Sequence, residues 1–164
     1  MIAIDPVSLA EKPVLRNLME LYLHDFTEFD NADIGDNGLY GYEYLDCYWT
    51  EEDRYSFLVR VDGRLAGFVL VHKIAGINTI AEFFVMRKYR RRGVGTEVAI
   101  RIFDRFRGKW NVTQMSYNVP AQSFWRKVIR KYTGGEYMER EWEMEGNRGL
   151  LQEFMSRTQC KENQ

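Results

Sequence analysis

The chain has 164 residues, of which 45% are apolar and 15% aromatic, enough for one domain with a buried core. Its formal net charge of −1 does not favour a nucleic acid or a membrane surface as partner, and charges interrupt every apolar run before it reaches membrane length. The two cysteines, Cys47 and Cys160, lack metal-ligand spacing, which is typical of a reducing compartment. We therefore expect a cytoplasmic protein without a signal peptide or a bound metal.

The N-terminal part predicts a strand, a helix and an irregular segment. Residues 1–5 alternate weakly, and the helix begins either at a capping box of Ser8 and Glu11 or at Pro13. Acids and aromatics dominate the segment that follows the helix. They suit a cationic amine, by Coulomb attraction and cation–π contact, but equally a solvated loop packed down by its aromatics. The apolar stripe of the helix predicts a face packed on a sheet and comprises Leu15, Leu18, Met19, Tyr22, Leu23 and Phe26.

The central part predicts a hairpin and then a strand that carries one acid. Residues 55–61 and 64–73 indicate strands joined by Asp62-Gly63, a strong hairpin signal. Residues 80–86 are apolar and aromatic except for Glu82. From Val94 onward apolar residues recur every fourth position, which indicates a helix.

A basic turn with two glycines lies between that strand and that helix. The first turn of a helix has N–H groups without intrahelical partners, and Gly93 and Gly95 let an anion approach the backbone closely. Each charge-assisted hydrogen bond contributes about 1.5–3 kcal/mol, so three or four would hold a diphosphate. A Walker loop is absent, and valine at position 98 replaces the third glycine of a dinucleotide fingerprint. A solvated basic turn and a nucleic-acid patch are the alternatives.

The C-terminal part predicts a strand, a helix and a second hairpin. Residues 111–117 indicate the strand, and the helix begins at Pro120 and ends at Gly134-Gly135. Residues 136–145 and 150–157 flank Gly146-Asn147, where we expect the hairpin turn. The order β-α-loop-β-β-β-α-β-α-β-β, without repeat or linker, predicts a single domain over residues 1–164. We expect a mixed sheet with helices on both faces.

Two motifs connect these elements to a family. Arg-x-x-Gly-x-Gly at residues 90–95 resembles the Gln/Arg-x-x-Gly-x-Gly/Ala signature of the GCN5-related N-acetyltransferases (GNAT). Residues 118–127 resemble the family's Asn-x-x-Ala-x-x-Phe-Tyr-x-Lys, except that Trp125 replaces the tyrosine. With their spacing, the motifs cover roughly residues 79–137. The resemblance implies an α+β (mixed α/β) acyl-CoA N-acyltransferase fold with a six- to seven-stranded mixed sheet.

The resemblance implies that acetyl-CoA is the acyl donor and that the acetyl group passes to an amine of a small molecule or peptide. The amine attacks the thioester directly, in a ternary complex. Arg91 stands where many relatives have a further glycine. By analogy, the pantetheine arm pairs with the backbone of the acid-bearing strand where the sheet splays. The residues that the resemblance assigns to the cofactor are Phe84, Val85, Met86, Arg90, Arg91, Arg92, Gly93, Val94, Gly95, Thr96, Asn118 and Trp125.

Transfer requires a neutral amine, and a lysine-like amine has a pKa of about 10.4. Glu82 is the candidate base, because an acid in an apolar strand has a raised pKa; the alternative is a structural glutamate. Trp125 cannot replace the usual tyrosine as general acid, so the acid is unassigned, with Tyr117 and Tyr132 as weak candidates. The candidate acceptor residues are Tyr22, Asp25 and Tyr48.

Two competing functions stay open at the level of the sequence. A non-catalytic CoA-binding or interaction module would retain the basic Gly-rich turn without turnover. A nucleic-acid-binding protein would use the basic residues 88–92, but no other feature of the chain favours it. We expect neither a nucleic-acid nor a membrane partner. Because relatives often dimerise, the resemblance leaves a homodimer open.

Overall fold

The computed structural model describes residues 1–157, so Cys160 lies outside the described residues. The predicted order of strands and helices is confirmed, with one short helix added in the segment predicted as a loop. The elements are β1 (Ile2–Pro6), α1 (Lys12–Asp30), α2 (Cys47–Thr50), β2 (Arg54–Val61), β3 (Arg64–Ile74), β4 (Ile77–Val85), α3 (Val94–Arg105), β5 (Lys109–Met115), α4 (Val119–Thr133), β6 (Met138–Met144) and β7 (Asn147–Met155).

The seven strands form one mixed sheet in the order β1-β2-β3-β4-β5-β7-β6. Parallel pairing joins β4 to β5 at two positions at the start of β4, Asn78 with Trp110 and Thr79 with Asn111. The pairs β1–β2, β2–β3, β5–β7 and β6–β7 are antiparallel. None of the helices within residues 1–157 is long and apolar enough to cross a membrane.

The chain forms two compact units. The first unit contains Met1–Lys73 and Ile80–Gly95, and the second contains Ile74–Thr79 and the described residues from Thr96 onward. Strand β4 therefore contributes residues to both units.

The core of the first unit lies under α1. The capping box forms, with the backbone N–H of Ser8 donating to Glu11 at 3.2 Å, but it caps a short 3₁₀ turn at Leu9–Glu11. Helix α1 then starts at Lys12 with Pro13 in its first turn, so both predicted starts contribute. The buried residues of this core include Leu15, Leu18, Met19, Leu58, Phe68, Leu70 and Phe84.

An aromatic cluster fills the core of the second unit. The Phe103 ring centroid lies 4.9 Å from those of Trp110 and Phe154, and 5.2 Å from that of Tyr132. A buried pair, Gln114 and Gln152, exchanges side-chain amide hydrogen bonds of 2.7 and 3.1 Å between β5 and β7. The second unit is thus held by packed rings and a satisfied polar pair.

The two hairpins differ in how well the sequence predicts them. Asp62 and Gly63 form the first turn, with φ of 49° and 77°. The second turn was predicted at Gly146-Asn147, which is wrong by one residue: Glu145 and Gly146 form it, with φ of 52° and 78°. A type I′ hairpin turn needs positive φ at both central positions, and this register places the glycine second, as in the first hairpin.

Candidate active site and donor loop

Glu82 lies on β4 and binds a tyrosine of α1. The hydroxyl of Tyr22 donates to Oε2 of Glu82 at 2.6 Å, and the hydroxyl of Tyr42 is near enough to hydrogen-bond the same carboxylate. Burial raises the pKa of Glu82, although the two tyrosine hydrogen bonds oppose this by favouring the charged form. The structure thus brings an acid of raised pKa together with a predicted acceptor residue, Tyr22.

Aromatic rings pack around Tyr22, the hydrogen-bond partner of this acid. The Tyr22 ring centroid lies 5.7 Å from that of Phe68 and 5.8 Å from that of Phe84. Tyr48, on α2, is 5% exposed, and its hydroxyl is buried without a partner of hydrogen-bonding geometry among the described residues. Burial raises the pKa of Tyr48 to about 12, and it also raises the pKa of Tyr42, to which the Glu82 charge adds. The phenols of Tyr42 and Tyr48 are therefore neutral at physiological pH.

A glutamate of α1 holds the loop that carries Tyr42. The carboxylate of Glu20 accepts from the backbone N–H of Tyr40 at 2.6 Å and from that of Gly41 at 3.0 Å. Sequence reasoning did not single out Glu20 or Tyr42 for the site. Only the aromatic density of the segment pointed to Tyr42, and no signal pointed to Glu20, because its partners are about twenty residues away.

Asp25 does not share the surroundings of Tyr22 and Tyr48. Its Oδ1 accepts from Arg87 at 2.6 Å and its Oδ2 from Arg90 at 2.5 Å. Partial burial alone would raise the pKa of Asp25, but the hydrogen bonds and charges of Arg90 and Arg87 together lower it. Both carboxylate oxygens are thus engaged by arginines that flank the Gly-rich turn.

The donor loop, Arg90–Gly95, leaves β4 through a short 3₁₀ turn and leads into α3. Arg91 and Gly93 both have left-handed backbone conformations, with φ of 60° and 79°. Arg91, Arg92 and Gly93 are exposed. Among residues 1–157, their backbone N–H groups donate to no backbone carbonyl in a turn or loop. No atom lies within 4 Å of the place where a Cβ on Gly93 would sit. Successive backbone N–H groups in a turn of this kind can form a concavity suited to an anion.

The helix that follows is anchored immediately after the loop. Val94 is 6% exposed and begins α3, which fixes where the helix N-terminus lies. Gly95 and Thr96 are half-buried in the first turn of that helix. The N–H groups of this turn have no intrahelical acceptors and carry the positive end of the helix dipole.

The end of β4 presents one backbone carbonyl away from β3. The Met86 N–H donates to the Ala66 carbonyl of β3 at 2.8 Å. Because strand residues alternate in direction, the polar groups of Val85 face the opposite way. The Val85 carbonyl accepts from Nε of Arg90 at 2.6 Å, and the guanidinium of Arg90 lies 5.7 Å from the Phe84 ring centroid.

In the second unit, two predicted cofactor residues have structural roles. Asn118 caps α4, with its Oδ1 accepting from the Ala121 N–H at 3.2 Å. Trp125 is 5% exposed and packs with Phe103 and Phe124 at ring distances of 6.2 and 4.9 Å. The capping bond uses only the oxygen of Asn118, so its amide N–H groups can still serve as donors.

The two tyrosines considered as general acids also lie in the second unit. The Tyr132 hydroxyl donates to Asp104 at 2.8 Å and accepts from the Arg157 N–H at 3.1 Å. Burial raises the pKa of Tyr132 to about 12, with Asp104 adding to the shift. Tyr117 is 43% exposed. Tyr132 therefore has a structural role. In residues 1–157, no three His, Cys, Asp or Glu side chains are grouped as a metal site requires.

Comparisons with known proteins agree with this architecture. The sequence model of the Acetyltransferase (GNAT) family matches residues 15–129, which is more than half of the chain. No curated protein sequence matches the chain. The similarity to solved structures described next is at low sequence identity and concerns the fold.

Three solved structures illustrate the similarity. An acetyltransferase from Thermus thermophilus has a TM-score of 0.70 at 14% identity, over 94% of this chain and 97% of that one. The ribosomal-protein-S18-alanine N-acetyltransferase from Escherichia coli has a TM-score of 0.62 at 11% identity, over 100% and 99%. Spermidine N-acetyltransferase from Vibrio cholerae, in complex with CoA and spermine, has a TM-score of 0.61 at 11% identity, over 94% and 95%.

Proposed function

Because the chain belongs to the acetyltransferase (GNAT) family, we propose that it is an N-acetyltransferase that transfers the acetyl group of acetyl-CoA to the amine of a small molecule or peptide. The observation that carries the proposal within the site is Glu82, a half-buried side chain whose carboxylate accepts a tyrosine hydroxyl at 2.6 Å and whose pKa is raised by burial. A carboxylate of raised pKa is a stronger base than an ordinary one, and the reaction requires a base.

In the proposed reaction, the acceptor amine binds near Glu82 and loses a proton to its carboxylate. The nitrogen lone pair attacks the carbonyl carbon of the thioester, the bonded nitrogen then gives its second proton to solvent, and the tetrahedral intermediate collapses as the carbon–sulfur bond breaks. The departing thiolate takes its proton from solvent, since a thiol has a pKa of only about 8.5. This avoids a general acid in a chain where Tyr132 is engaged elsewhere and Trp125 cannot donate usefully.

Donor binding is assigned to the residues that the motifs indicated. The backbone amides of Arg91, Arg92 and Gly93 and the first turn of α3 (Val94, Gly95, Thr96) would receive the diphosphate, helped by the charge of the arginines. Of Phe84 and Val85 at the end of β4 and Met86 directly after it, Val85 is the one whose polar groups face away from β3. We assign the pantetheine arm to Val85. Asn118, whose side chain caps α4 in the second unit, stays a cofactor residue predicted from the motif alone.

Acceptor recognition is assigned to Tyr22 and Glu82. Tyr22 is half-buried and offers a phenol ring that can contact a cationic amine through its face, while Glu82 supplies the negative charge. Tyr48 is 5% exposed, so its ring face is not offered to an acceptor. Asp25 is left out of this assignment because both of its carboxylate oxygens are bound by arginines. The resulting pocket favours an amine carried on an apolar or cationic small molecule, or a peptide N-terminus.

The test is a turnover assay in which a thiol reagent reports free CoA. The acceptor panel contains spermidine, spermine and a peptide with an N-terminal alanine, each chosen because a structural neighbour names that chemistry. We expect acceptor-dependent thiol release with at least one amine. Tight acetyl-CoA binding without thiol release across the panel would instead support the non-catalytic CoA-binding module.

A further inference from the structure

We propose that Asp25 is a positioning residue of the donor site, acting through Arg87 and Arg90. Its two carboxylate oxygens bind two different guanidiniums, at 2.6 and 2.5 Å, across more than sixty residues of sequence. The Asp25 side chain is 21% exposed, whereas the side chains of Arg87 and Arg90 are 77% and 42% exposed. A half-buried acid thus holds two exposed cations at the entrance to the donor loop. This inference rests on the proposed function, because it assumes that the loop binds the diphosphate of CoA.

Three contacts hold the Arg90 side chain, and the ion pair with Asp25 is one of them. Nε of Arg90 donates to the Val85 carbonyl at 2.6 Å, and its guanidinium lies over the Phe84 ring at 5.7 Å. Without Asp25, the terminal nitrogen loses its anchor, and a long side chain at the surface returns to many rotamers. Arg90 is the first residue of the donor loop. It donates a hydrogen bond to the carbonyl of Val85, the residue that is assigned to the pantetheine arm. Its orientation therefore affects the place where the donor is expected to bind.

Helix α1 carries both Asp25 and Tyr22, but the two side chains have different partners. Tyr22 and Asp25 are three residues apart and thus lie on the same face of the helix. Tyr22 contacts Glu82, and Asp25 contacts the arginines beside the donor loop. Loss of Asp25 is therefore expected to change donor affinity while leaving the proton-transfer step intact.

Removal of Asp25 also has an effect on CoA binding of the opposite sign. An acid near an anion site repels the anion, so removing Asp25 also strengthens the Coulomb attraction of the loop for a diphosphate. Asp25 and its two arginines together keep a net charge of +1, and the exposed guanidiniums are screened by salt. We expect the loss of preorganised arginines to outweigh the gain in charge at physiological ionic strength.

The experiment measures CoA binding by titration calorimetry in wild type, Asp25→Asn and the control Glu28→Gln. Glu28 is exposed on the same helix, so its variant removes the same charge without touching either arginine. We expect Asp25→Asn to weaken CoA binding by about fivefold or more and Glu28→Gln to leave it unchanged. The KM for acetyl-CoA should rise by the same factor, with kcat at saturating donor within about twofold of wild type. Unchanged or tighter binding by Asp25→Asn would overturn the inference.

A cycle with Arg90→Gln tests whether Asp25 acts through the arginine. If it does, Asp25→Asn weakens CoA binding much less in the Arg90→Gln background than in wild type. An equal effect in both backgrounds would contradict the mechanism. If Asp25→Asn does not fold, Arg90→Gln alone breaks the same contact, and wild-type affinity in that variant overturns the inference. Failure of the wild-type protein to bind CoA would instead refute the proposed function.

Discussion

At the scale of single residues, the protonation of Glu82 decides how the site works. Its side chain is half-buried, and its carboxylate receives a hydroxyl hydrogen bond at 2.6 Å from Tyr22. Burial raises its pKa from an ordinary value of 4.5, and the tyrosines limit that rise. Burial thus makes this carboxylate a stronger base than an ordinary glutamate, while the tyrosine hydrogen bonds favour its charged, proton-accepting form.

We expect Glu82→Gln to lower kcat by about a hundredfold, within the range that general bases contribute, with acetyl-CoA affinity near wild type. In wild type, kcat/KM should rise with pH through the raised pKa of Glu82, because only the carboxylate form accepts a proton. Tyr22→Phe provides the comparison: it removes a hydrogen bond to the charged form and should move the acidic limb to higher pH. A pH–rate profile that is the same in all three proteins would exclude Glu82 as the base.

Stability measurements on the same variant test the sign of the pKa shift independently. A raised pKa means that the folded protein binds more protons than the unfolded chain between pH 4.5 and the raised value. The free energy of unfolding of wild type therefore falls as pH rises through that window, and Glu82→Gln lacks this contribution. Urea denaturation from pH 4 to 8 measures this effect. We expect the free energy of unfolding of Glu82→Gln to increase relative to that of wild type as pH rises.

A second residue prediction concerns Arg91, whose φ of 60° lies where glycine has no steric penalty. We expect Arg91→Gly to raise the free energy of unfolding by about 0.5–1 kcal/mol, and to weaken CoA binding through the lost charge. Arg92→Gly is the matched control, since Arg92 has an ordinary backbone conformation and the same change should not stabilise it. Chemical denaturation decides: a less stable Arg91→Gly variant would contradict the interpretation of the turn.

Distance along the chain explains which site residues the sequence could predict. The donor loop is local, and a strand, a basic Gly-rich turn and a helix start are readable within fifteen residues. The bonds of Tyr22 to Glu82 and of Asp25 to Arg90 span 60 and 65 residues, and no sequence pattern encodes them. Asp25 was therefore predicted as an acceptor residue because it is acidic, whereas in the structure its carboxylate binds Arg87 and Arg90.

At the scale of elements, close backbone approaches fix the packing of strands. A Cβ on Gly67 of β3 would lie 1.9 Å from the Phe84 carbonyl oxygen of β4, and one on Gly149 of β7 would lie 2.0 Å from the Gln114 carbonyl oxygen of β5. Periodicity predicted all these strands, because alternation is a local signal. It could not predict which glycines pass against a neighbouring backbone, just as it placed the second hairpin turn one residue late.

We expect Gly67→Ala to lower the free energy of unfolding by about 1–3 kcal/mol, because a backbone carbonyl cannot move aside as a flexible side chain can. Since Phe84 precedes Val85 on β4, the displaced strand should also weaken CoA binding. Urea denaturation and calorimetry measure the two effects. Gly63→Ala in the hairpin turn is a comparison, because open space surrounds that position and only its φ of 77° is strained. A Gly67→Ala protein as stable as wild type would contradict the close approach.

At the scale of the whole molecule, strand β4 belongs to both compact units, with Thr79 in the second and Ile80 in the first. Unfolding of one unit therefore releases the part of β4 that it contains, although the rest of the same strand belongs to the other unit. The prediction of a single domain leads to one cooperative unfolding transition for the full chain. Calorimetric and van't Hoff enthalpies of unfolding should agree, and tyrosine and tryptophan fluorescence should change together with far-ultraviolet circular dichroism.

Saturating CoA sharpens this test, because a ligand that binds only the folded state raises its stability by mass action. Since the donor loop lies in the first unit, independent units would give two transitions, and CoA would shift the one that includes the loop by more than the other. A single domain gives one transition that moves upward as a whole. We expect the latter. Two separable heat-absorption peaks, displaced by CoA to different extents, would instead establish two domains that fold independently.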